Sequence, residues 1–301
     1  KMPGIGIGIS PMFNRGDGAP IVYEAQTIAY MAAISVPNDS TMWFTGDTFR
    51  QKTGTQWWNL VNDFWKNIKG IGTLNSTIDF TTKSPLALRI LTNGSSTKNA
   101  VNLFDPGTYN IASFGGSYIY SANGCYNDIA DGGISVSNFP SLTSLFFGIT
   151  TGANPLISGT QPYGTYGYKM GVQTAGNVFG IFNFPNDIRF STRGNNAQIT
   201  NDDFAIGDYC VNQTSAGKTE GIVRGAKVVD YTETTYGSFS GNIYIGGINN
   251  GGGSNLDTSL QRMDYYFGSE LTPTEYAMWS TITNAYLTAW GCSMGVMDVH
   301  G

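Results

Sequence analysis

Residues 78 to 267 consist of short runs of β-branched and aromatic residues that Asn, Gly and Pro separate. Runs of this kind form strands, and the residues between them form tight turns. Because no helical periodicity interrupts the runs, they predict antiparallel sheets rather than a parallel sheet with alternating helices. The absence of a fixed-period repeat argues against a β-helix or propeller. The predicted strands are residues 86–91, 118–120, 142–149, 167–172, 178–184, 188–191, 204–211, 220–229, 242–246 and 263–267.

The composition supports a folded, strand-rich chain. Glycine accounts for 40 of the 301 residues and charged residues for only 12%, so long charged helices are not expected. A hydrophobic fraction of 41% is too high for intrinsic disorder. A chain of this length forms one large domain or two small ones.

The net charge and the rare residue types exclude several classes of function. A net charge of −5 provides no basic surface for a phosphate backbone, so no nucleic-acid partner is predicted. The single histidine, His300, is next to last, which argues against Ser-His-Asp, Cys-His and His-rich metal chemistry. Cys125, Cys210 and Cys292 follow no metal or disulfide spacing and are predicted to be buried small residues. No apolar run has the length of a membrane span, so no membrane insertion is predicted.

The first residues alternate regularly. Between Pro3 and Pro11 an extended segment has Ile5, Ile7 and Ile9 on one face and glycine on the other. Glycine lets such a ribbon approach another backbone closely. Two interpretations remain open: an edge strand of the same domain, or an assembly arm that docks on a neighbouring subunit. A phosphate-binding glycine loop is not indicated, because a proline and a turn follow instead of a helix.

Two helices are predicted ahead of the strands. The first covers residues 21–34 and the second covers residues 56–69. Apolar residues recur at helical spacing in the first at Ile21, Ala25, Ile28 and Ala32. The apolar stripe of the second consists of Trp57, Val61, Phe64, Trp65 and Ile68. Aromatic residues at this spacing indicate core packing rather than a sugar-stacking surface.

A third helix begins near Thr272 and ends at Gly291. Thr272-Pro273-Thr274-Glu275 is a capping box with proline at the first helical position. Leu271 and Tyr276 provide a hydrophobic staple across this start. We expect this helix to pack beside the last strand as a surface helix, with an apolar side that carries Trp279, Ile282 and Tyr286.

The order of these elements resembles a known family. Asn242-Ile243-Tyr244-Ile245-Gly246-Gly247, followed by residues 264–275, is similar to the closing strands and helix of laminin-G and concanavalin A-like jelly rolls. Short helices, then residues 98–106 and the turn Phe114-Gly115-Gly116, precede the sandwich in an order that resembles virion proteins of tailed phages. The resemblance spans about residues 24–291.

The resemblance implies a mainly β fold, an antiparallel two-sheet sandwich of the concanavalin A-like jelly-roll kind with a few short peripheral helices. The implied organisation is an extended arm at 1–23, a helical segment at 24–75, the sandwich at 76–291 and a tail at 292–301. The same sandwich carries hydrolases, lectins and inert spacers, so the fold alone does not assign a function.

The implied function is that of a non-enzymatic virion structural protein in a fibre, tail or head appendage, with adhesion to host surface glycans as a further role. Its expected partners are other virion subunits in a homo-oligomer, which for a fibre is a trimer, and its expected location is the virion. Two alternatives remain open: a capsid decoration protein with no ligand, and a polysaccharide-degrading glycoside hydrolase.

No catalytic residues are predicted. An enzyme on this scaffold would resemble the retaining glucanases, whose Glu-x-Asp-x-Glu strand places two carboxyl groups on one face. No such triplet occurs here. Of the five glutamates, Glu270 and Glu275 fall at the start of the last helix and are interpreted as capping residues. Glu220 remains an alternative if Asp202 or Asp203 lies beside it.

No metal or other cofactor is predicted, although calcium remains an alternative. Calcium prefers oxygen ligands from loops. Six aspartates fall in loop or strand-end contexts, without EF-hand spacing: Asp128, Asp131, Asp202, Asp203, Asp208 and Asp257. Turn formation is the commoner role of such aspartates, because the side chain bonds nearby backbone amides.

The candidate carbohydrate-binding residues are Tyr163, Tyr166 and Tyr168, in a segment rich in Gly and Thr. A tyrosine ring stacks on a pyranose while its hydroxyl stays in water. The alternative is a tyrosine-rich turn or strand that contributes to the core and to subunit contacts.

Overall fold

The fold was analysed in a computed structural model. The structure describes residues 21–42, 52–83, 87–90, 95–108, 111–114, 118–121, 124–127, 134–142, 144–153, 167–174, 177–184, 187–192, 195–200, 207–232, 239–245, 247–250, 253–256 and 260–291. The predicted assembly arm with Ile5, Ile7 and Ile9 lies outside the described residues, and so does the predicted tail at 292–301.

Most of the secondary-structure elements in the described residues are β-strands. The helices are α1 (Ala25–Ala33), α2 (Gly54–Ile68), α3 (Ser96–Asn99) and α4 (Pro273–Trp290), with a 3-10 turn at Phe80–Thr82. The strands are β1 (Ala87–Ile90), β2 (Ile111–Phe114), β3 (Tyr118–Ser121), β4 (Gly124–Asn127), β5 (Ile134–Leu142), β6 (Leu145–Ala153), β7 (Gly167–Thr174), β8 (Asn177–Phe184), β9 (Asp187–Thr192), β10 (Asn195–Thr200), β11 (Gly207–Gln213), β12 (Lys218–Val223), β13 (Ala226–Thr232), β14 (Phe239–Ile245), β15 (Gly247–Asn250), β16 (Gly253–Leu256) and β17 (Leu260–Gly268).

The strands form two sheets. In the described part of the chain the first sheet runs β13-β12-β11-β6-β17-β4-β3, with β1 also paired to β17. The second runs β10-β9-β8-β7-β14-β5-β2, with β15 and β16 attached at β7. Strand pairs are antiparallel except for β15 with β7. The predicted fold, a mainly β antiparallel two-sheet sandwich with a few helices, is confirmed.

The two sheets pack face to face at a glycine. A Cβ atom on Gly221 of β12 would lie 2.3 Å from the ring of Phe190 on β9, so only glycine admits this ring. Ile149 and Val211 of the first sheet and Ile188 of the second are also fully buried. These residues alternate with others along their strands, as a two-faced sheet requires.

Helix α4 covers the opposite face of the first sheet, and α2 packs against α4. The rings of Trp57 and Trp290 join the two helices, with centroids 4.7 Å apart. Trp279 of α4 contacts Tyr266 of β17 at 5.2 Å and Phe146 of β6 at 6.0 Å. The molecule therefore has three layers, and α4 buries more of its surface than the expected surface helix.

The capping box predicted at the start of α4 forms, whereas α2 begins at Gly54, two residues before its predicted start, at a capping box that was not predicted. Thr53 and Gln56 form a capping box at α2, and Thr272 and Glu275 form another at α4. Gly291 ends α4 in the left-handed conformation. The stripe predicted for α2 is buried.

The helix predicted at 21–34 forms as α1, but the apolar residues that recur along it are not its buried face. Ile28 is 49% exposed and Ile21 is 37% exposed. The buried face instead carries Thr27, Tyr30 and Met31. Tyr30 and Met31 bury more apolar area than the two alanines of the repeating positions, which favours packing of their face.

Two predicted strands are each divided in two. The predicted strand at 142–149 spans the end of β5 and the start of β6. The predicted strand at 220–229 contains the β12–β13 hairpin, where Arg224 and Gly225 have φ of 53° and 76°. Two left-handed residues make the hairpin turn that matches strand twist, which Asn-Gly would have signalled and Arg-Gly does not.

Strand β13 is the last strand at one edge of the first sheet. Its register with β12 shifts between Gly221 and Ile222, which marks a β-bulge. Lys227 and Val228 are exposed on it.

Candidate functional site

A pair of acidic residues is buried between the first sheet and α4. Asp208 of β11 and Asp264 of β17 are both opposite Thr150 of the central strand β6. Cross-strand partners lie on the same side of a sheet, so the two carboxyl groups flank one residue. Their exposed fractions are 1% and 0%. We call Asp208 and Asp264 the acid pair.

Each carboxyl group of the acid pair is held by donors on one of its oxygens. The Thr150 amide donates to Oδ1 of Asp264 at 3.0 Å. The Tyr266 hydroxyl donates to Oδ1 of Asp208, and Ser280 of α4 is close enough to lower the pKa of Asp208. The second oxygen, Oδ2, of each aspartate is buried and has no hydrogen-bond partner among the described residues.

Burial sets the protonation of the acid pair. Desolvation raises the pKa of Asp208 to about 6, against the lowering effect of Tyr266 and Ser280. Desolvation and then the charge of Asp208 raise the pKa of Asp264 to about 7. Burial also holds the pKa of the Cys210 thiol and the Tyr266 hydroxyl well above their ordinary values. The pair is therefore protonated in acid and charged at alkaline pH.

Gly148, two residues before Thr150 on β6, leaves room for the Tyr266 side chain to reach Asp208. Gly148 of β6 is opposite Cys210 and Tyr266. A Cβ atom on Gly148 would lie 2.6 Å from the Tyr266 hydroxyl and 2.6 Å from the Cys210 Cβ. The tyrosine therefore crosses β6 at a position where only glycine leaves space. Cys210 is buried as predicted, whereas the side chain of Cys125 and residue Cys292 are not described.

A second polar cluster fixes the start of α4 to the sheet. The Asn212 amide donates to Oε2 of Glu220 at 2.8 Å and to the Leu271 carbonyl at 2.7 Å. The Leu271 amide donates back to Asn212 Oδ1 at 2.9 Å. Lys227 lies 3.6 Å from Glu220 Oε1. Glu220 therefore has a structural role in this cluster. Asp202 and Asp203, its alternative catalytic partners, lie outside the described residues.

The two glutamates near α4 have different roles. Glu275 caps α4 as predicted and forms an ion pair with Lys83 at 2.8 Å. The predicted capping role of Glu270 is wrong, because its carboxylate accepts from the amide and hydroxyl of Ser215 in the turn between β11 and β12. A carboxylate can satisfy any free amide within reach, so sequence proximity to a helix does not identify its partner.

A row of cross-strand partners crosses the second sheet. Ile188 and Phe190 are buried against the first sheet, so Arg189 between them belongs to the outer face, where it is half-buried. The register pairs Arg189 with Phe182 of β8, and Phe182 in turn with Tyr168 of β7. Gln198 of β10 is opposite Arg189 on the other side. We call Tyr168, Phe182, Arg189 and Gln198 the outer row.

The predicted carbohydrate-binding tyrosines are only partly described. Tyr168 is the second residue of β7 and belongs to the outer row. Tyr163 and Tyr166 lie outside the described residues. The sequence identified Tyr168 but not its cross-strand partners, because these come from strands that only the fold brings together.

The acid pair was also missed in the sequence. Its signal is an aspartate inside an otherwise apolar strand, as in Asp208-Tyr209-Cys210-Val211 and Asp264-Tyr265-Tyr266-Phe267. The sequence places Asp208 in a loop or strand-end context together with five other aspartates, and those five lie outside the described residues. Within the described ranges, no three His, Cys, Asp or Glu side chains come together as a metal site. No helix in the described part of the chain is both long and apolar enough to cross a bilayer.

The described fold is that of a β-sandwich protein with helices against one sheet. No family model and no curated protein sequence matches the chain. Among solved structures, it is similar to one of botulinum neurotoxin type C, reported for its interaction with two ganglioside molecules, at 14% identity and a TM-score of 0.48. That match covers 69% of this chain and 52% of the other.

Two further structures show a similar likeness. The binding domain of botulinum neurotoxin serotype C1 matches at 14% identity and a TM-score of 0.46, over 67% of this chain and 52% of the other. NanB with Optactamide matches at 15% identity and a TM-score of 0.37, over 45% of this chain and 23% of the other. The chain thus spans about half the length of the neurotoxin structures. TM-scores this low imply nothing about what this chain binds.

Proposed function

We propose that the protein is a non-catalytic, glycan-binding structural subunit of a virion, and that it binds glycans on the outer face of the second sheet. The observation that carries the glycan-binding part is the outer row. Its register aligns a tyrosine, a phenylalanine, an arginine and a glutamine across four neighbouring strands. This alignment supports one continuous binding surface rather than scattered aromatic residues.

The residue types of the outer row suit a sugar. An aromatic ring offers an apolar face to the C–H groups of a pyranose, and tyrosine adds a polar edge. Arginine and glutamine supply several donors, and glutamine an acceptor, for sugar hydroxyls or a sugar carboxylate. Helix α4 covers the far face of the first sheet. Among the described residues, no helix packs on the outer face of the second sheet.

The buried acid pair supports a non-catalytic role. Glycoside hydrolysis uses two carboxyl groups that flank a bound sugar, about 5–10 Å apart. Asp208 and Asp264 are fully buried between a sheet and α4, where no sugar reaches them. Glu220 and Glu275 are held in the structural contacts described above.

The virion role is supported by the resemblance in element order and by exposed apolar side chains in the helical layer. Val22 is 82% exposed and Ile71 is 63% exposed. Ile28 and Leu74 are also exposed. Apolar side chains of this size are typical of subunit contacts when they form a patch, and a homo-oligomer, a trimer in the case of a fibre, would cover them.

A glycan array followed by titration of the best ligand tests the glycan-binding role. We expect Tyr168→Ala and Arg189→Ala each to weaken binding by roughly tenfold, since one stacking or charge-assisted contact contributes about that factor. Tyr231→Ala is the matched control, because Tyr231 is an exposed tyrosine on the first sheet and should leave the affinity unchanged. Equal binding by all three variants would place the glycan elsewhere.

Two measurements separate the alternatives. A protein that binds no glycan on the array but associates with other virion subunits would be a decoration protein. Release of reducing ends from a capsular polysaccharide would show a hydrolase and overturn the non-catalytic role. The oligomer mass in solution tests the fibre role, for which we expect a trimer.

A further inference from the structure

The acid pair connects all the elements around it. Asp208 on β11 accepts a hydrogen bond from Tyr266 on β17, and Ser280 on α4 is close enough to its carboxyl group to lower the pKa of Asp208. Ser280 also accepts from Asn284 one turn later, at 3.2 Å. One carboxyl group therefore links two strands to the helix that covers them.

The groups that face the acid pair carry few compensating charges. The side chains on its face are Thr150 from β6, Cys210 from β11, Tyr266 from β17 and Ser280 from α4. Burial keeps the thiol and the phenol neutral, because the pKa of each is raised. The turn between β12 and β13 contributes Arg224, whose amide donates to the Asp208 carbonyl oxygen at 2.8 Å. Its guanidinium lies beside Gly207, where an added Cβ atom would be 3.1 Å from Nε.

A bound divalent cation is a poorer explanation of the pair than protons. Calcium takes about six to eight oxygen ligands and magnesium about six. The described side chains on this face offer the two carboxyl groups and the hydroxyls of Thr150, Tyr266 and Ser280, and the Tyr266 hydroxyl already donates to Asp208. Protonation instead turns each carboxyl group into a neutral acid with one O–H donor. The buried negative charge is then removed.

We propose that the acid pair is a proton-operated latch, which holds α4 against the first sheet when both aspartates are protonated and loosens α4 when both are charged. This inference does not depend on the proposed function. Charging the pair places two negative groups in one row of the sheet, under a helix that has no way to hydrate them without moving away.

The folded chain holds the protons of the acid pair more tightly than the unfolded chain does. This difference decides whether stability rises or falls with pH. Both pKa values are raised above the ordinary value of 3.8, to about 6 and about 7. The folded chain therefore keeps protons that the unfolded chain has lost, and its stability falls as the pH rises from about 4 to about 7.

The thermal midpoint of the full-length protein between pH 5 and pH 8.5 is the first test. We expect the midpoint to fall by roughly 5 °C or more over this range. Asp264→Asn and Asp208→Asn, which imitate the protonated acids, should flatten the fall. Asp230→Asn is the control, because Asp230 is exposed and paired with Lys227 at 2.9 Å. It should keep the wild-type profile.

Hydrogen exchange of α4 peptides tests whether the helix is what loosens. Comparing the wild type with Asp264→Asn at the same pH removes the intrinsic effect of pH on exchange. We expect α4 to exchange several times faster in the wild type at pH 8 and equally fast in both proteins at pH 5.5. The β11–β12 peptides serve as the internal reference and should differ less.

Three results would overturn the latch. The first is a wild-type midpoint that does not fall with pH. The second is equal exchange of α4 in the wild type and Asp264→Asn at pH 8. The third is a midpoint at pH 8 that calcium or magnesium restores to its value at pH 5 and EDTA lowers, since the pair would then be a cation site. If Asp264→Asn fails to fold, the wild-type pH profile and the cation titration still decide.

Discussion

Gly148 is the residue on which the geometry around the acid pair depends. Its missing side chain leaves the space through which Tyr266 reaches Asp208. Its two cross-strand partners, Cys210 and Tyr266, are both buried and fill the space that a side chain on Gly148 would occupy. A glycine in the middle of a strand otherwise weakens it.

Gly148→Ala should destabilise the protein by about 2 kcal/mol, because the new methyl group overlaps a buried hydroxyl and a buried side chain. The free energy of unfolding in urea measures this effect. Gly107→Ala is the control, since the nearest atom to an added Cβ there is 3.6 Å away, and its effect should be below about 0.5 kcal/mol. Equal stability of the two variants would mean that Tyr266 is free to move aside.

Asn212 makes a similar test possible at the second polar cluster. Asn212→Ala removes three hydrogen bonds and leaves Glu220 and both backbone groups of Leu271 without their partner. We expect a loss of about 3 kcal/mol in the free energy of unfolding, because the groups left behind are buried. Asn38→Ala, at an exposed position, should change it little. A small effect of Asn212→Ala would show that water replaces the amide.

At the scale of elements, α4 is fixed at its first turn by a capping box and an ion pair. The Thr272 amide donates to Glu275 at 2.7 Å, and Glu275 also binds Lys83. The hydrogen bonds from Lys83 and Thr272 lower the pKa of Glu275 against its partial burial. The carboxylate is therefore ionised throughout the range in which the acid pair titrates.

Thr272→Ala should destabilise the protein by about 1 kcal/mol, because the side chain of Thr272 accepts from the Glu275 amide. Thermal unfolding at pH 5, where the acid pair is largely protonated, measures the cap separately from the latch. Thr274→Ala, two residues later on the exposed side, is the matched control and should be nearly neutral. A neutral Thr272→Ala would mean that packing alone fixes the start of α4.

Elements with a local signal were predicted well from the sequence, and contacts between distant elements were not. The cap of α4 and the apolar stripe of α2 are such local signals, because each lies within a short stretch of the sequence. The β12–β13 hairpin was missed because Arg224-Gly225 is an unusual pair for its turn. The acid pair was missed because its two strands are far apart in the chain, and only their common neighbour β6 brings them together. The outer row was found only in part for the same reason.

At the scale of the whole molecule, aromatic contacts connect the helical layer to the sandwich. Trp57 contacts Trp290 at 4.7 Å, and Trp279 contacts both Tyr266 and Phe146. These side chains belong to one continuous core cluster. We therefore expect the helices and the first sheet to unfold together.

Trp57→Ala tests this cooperativity. It should lower the free energy of unfolding by about 3 kcal/mol or more, as large-to-small core changes do. Far-UV circular dichroism and tryptophan fluorescence should still report one coincident transition. Two separate transitions would show that the predicted segment at 24–75 is an independent unit. Ile71→Ala, an exposed residue in the same segment, should leave the midpoint unchanged.

Strand β13 also limits how copies of the protein can associate. A bulge together with an exposed lysine is a common device by which natural sheets prevent intermolecular hydrogen bonding along a free edge. Growth of the first sheet from one molecule into the next is therefore blocked at β13. At this edge, copies of the chain in a fibre or shell would be joined through side-chain surfaces, and the strength of that contact would depend on how well those surfaces fit.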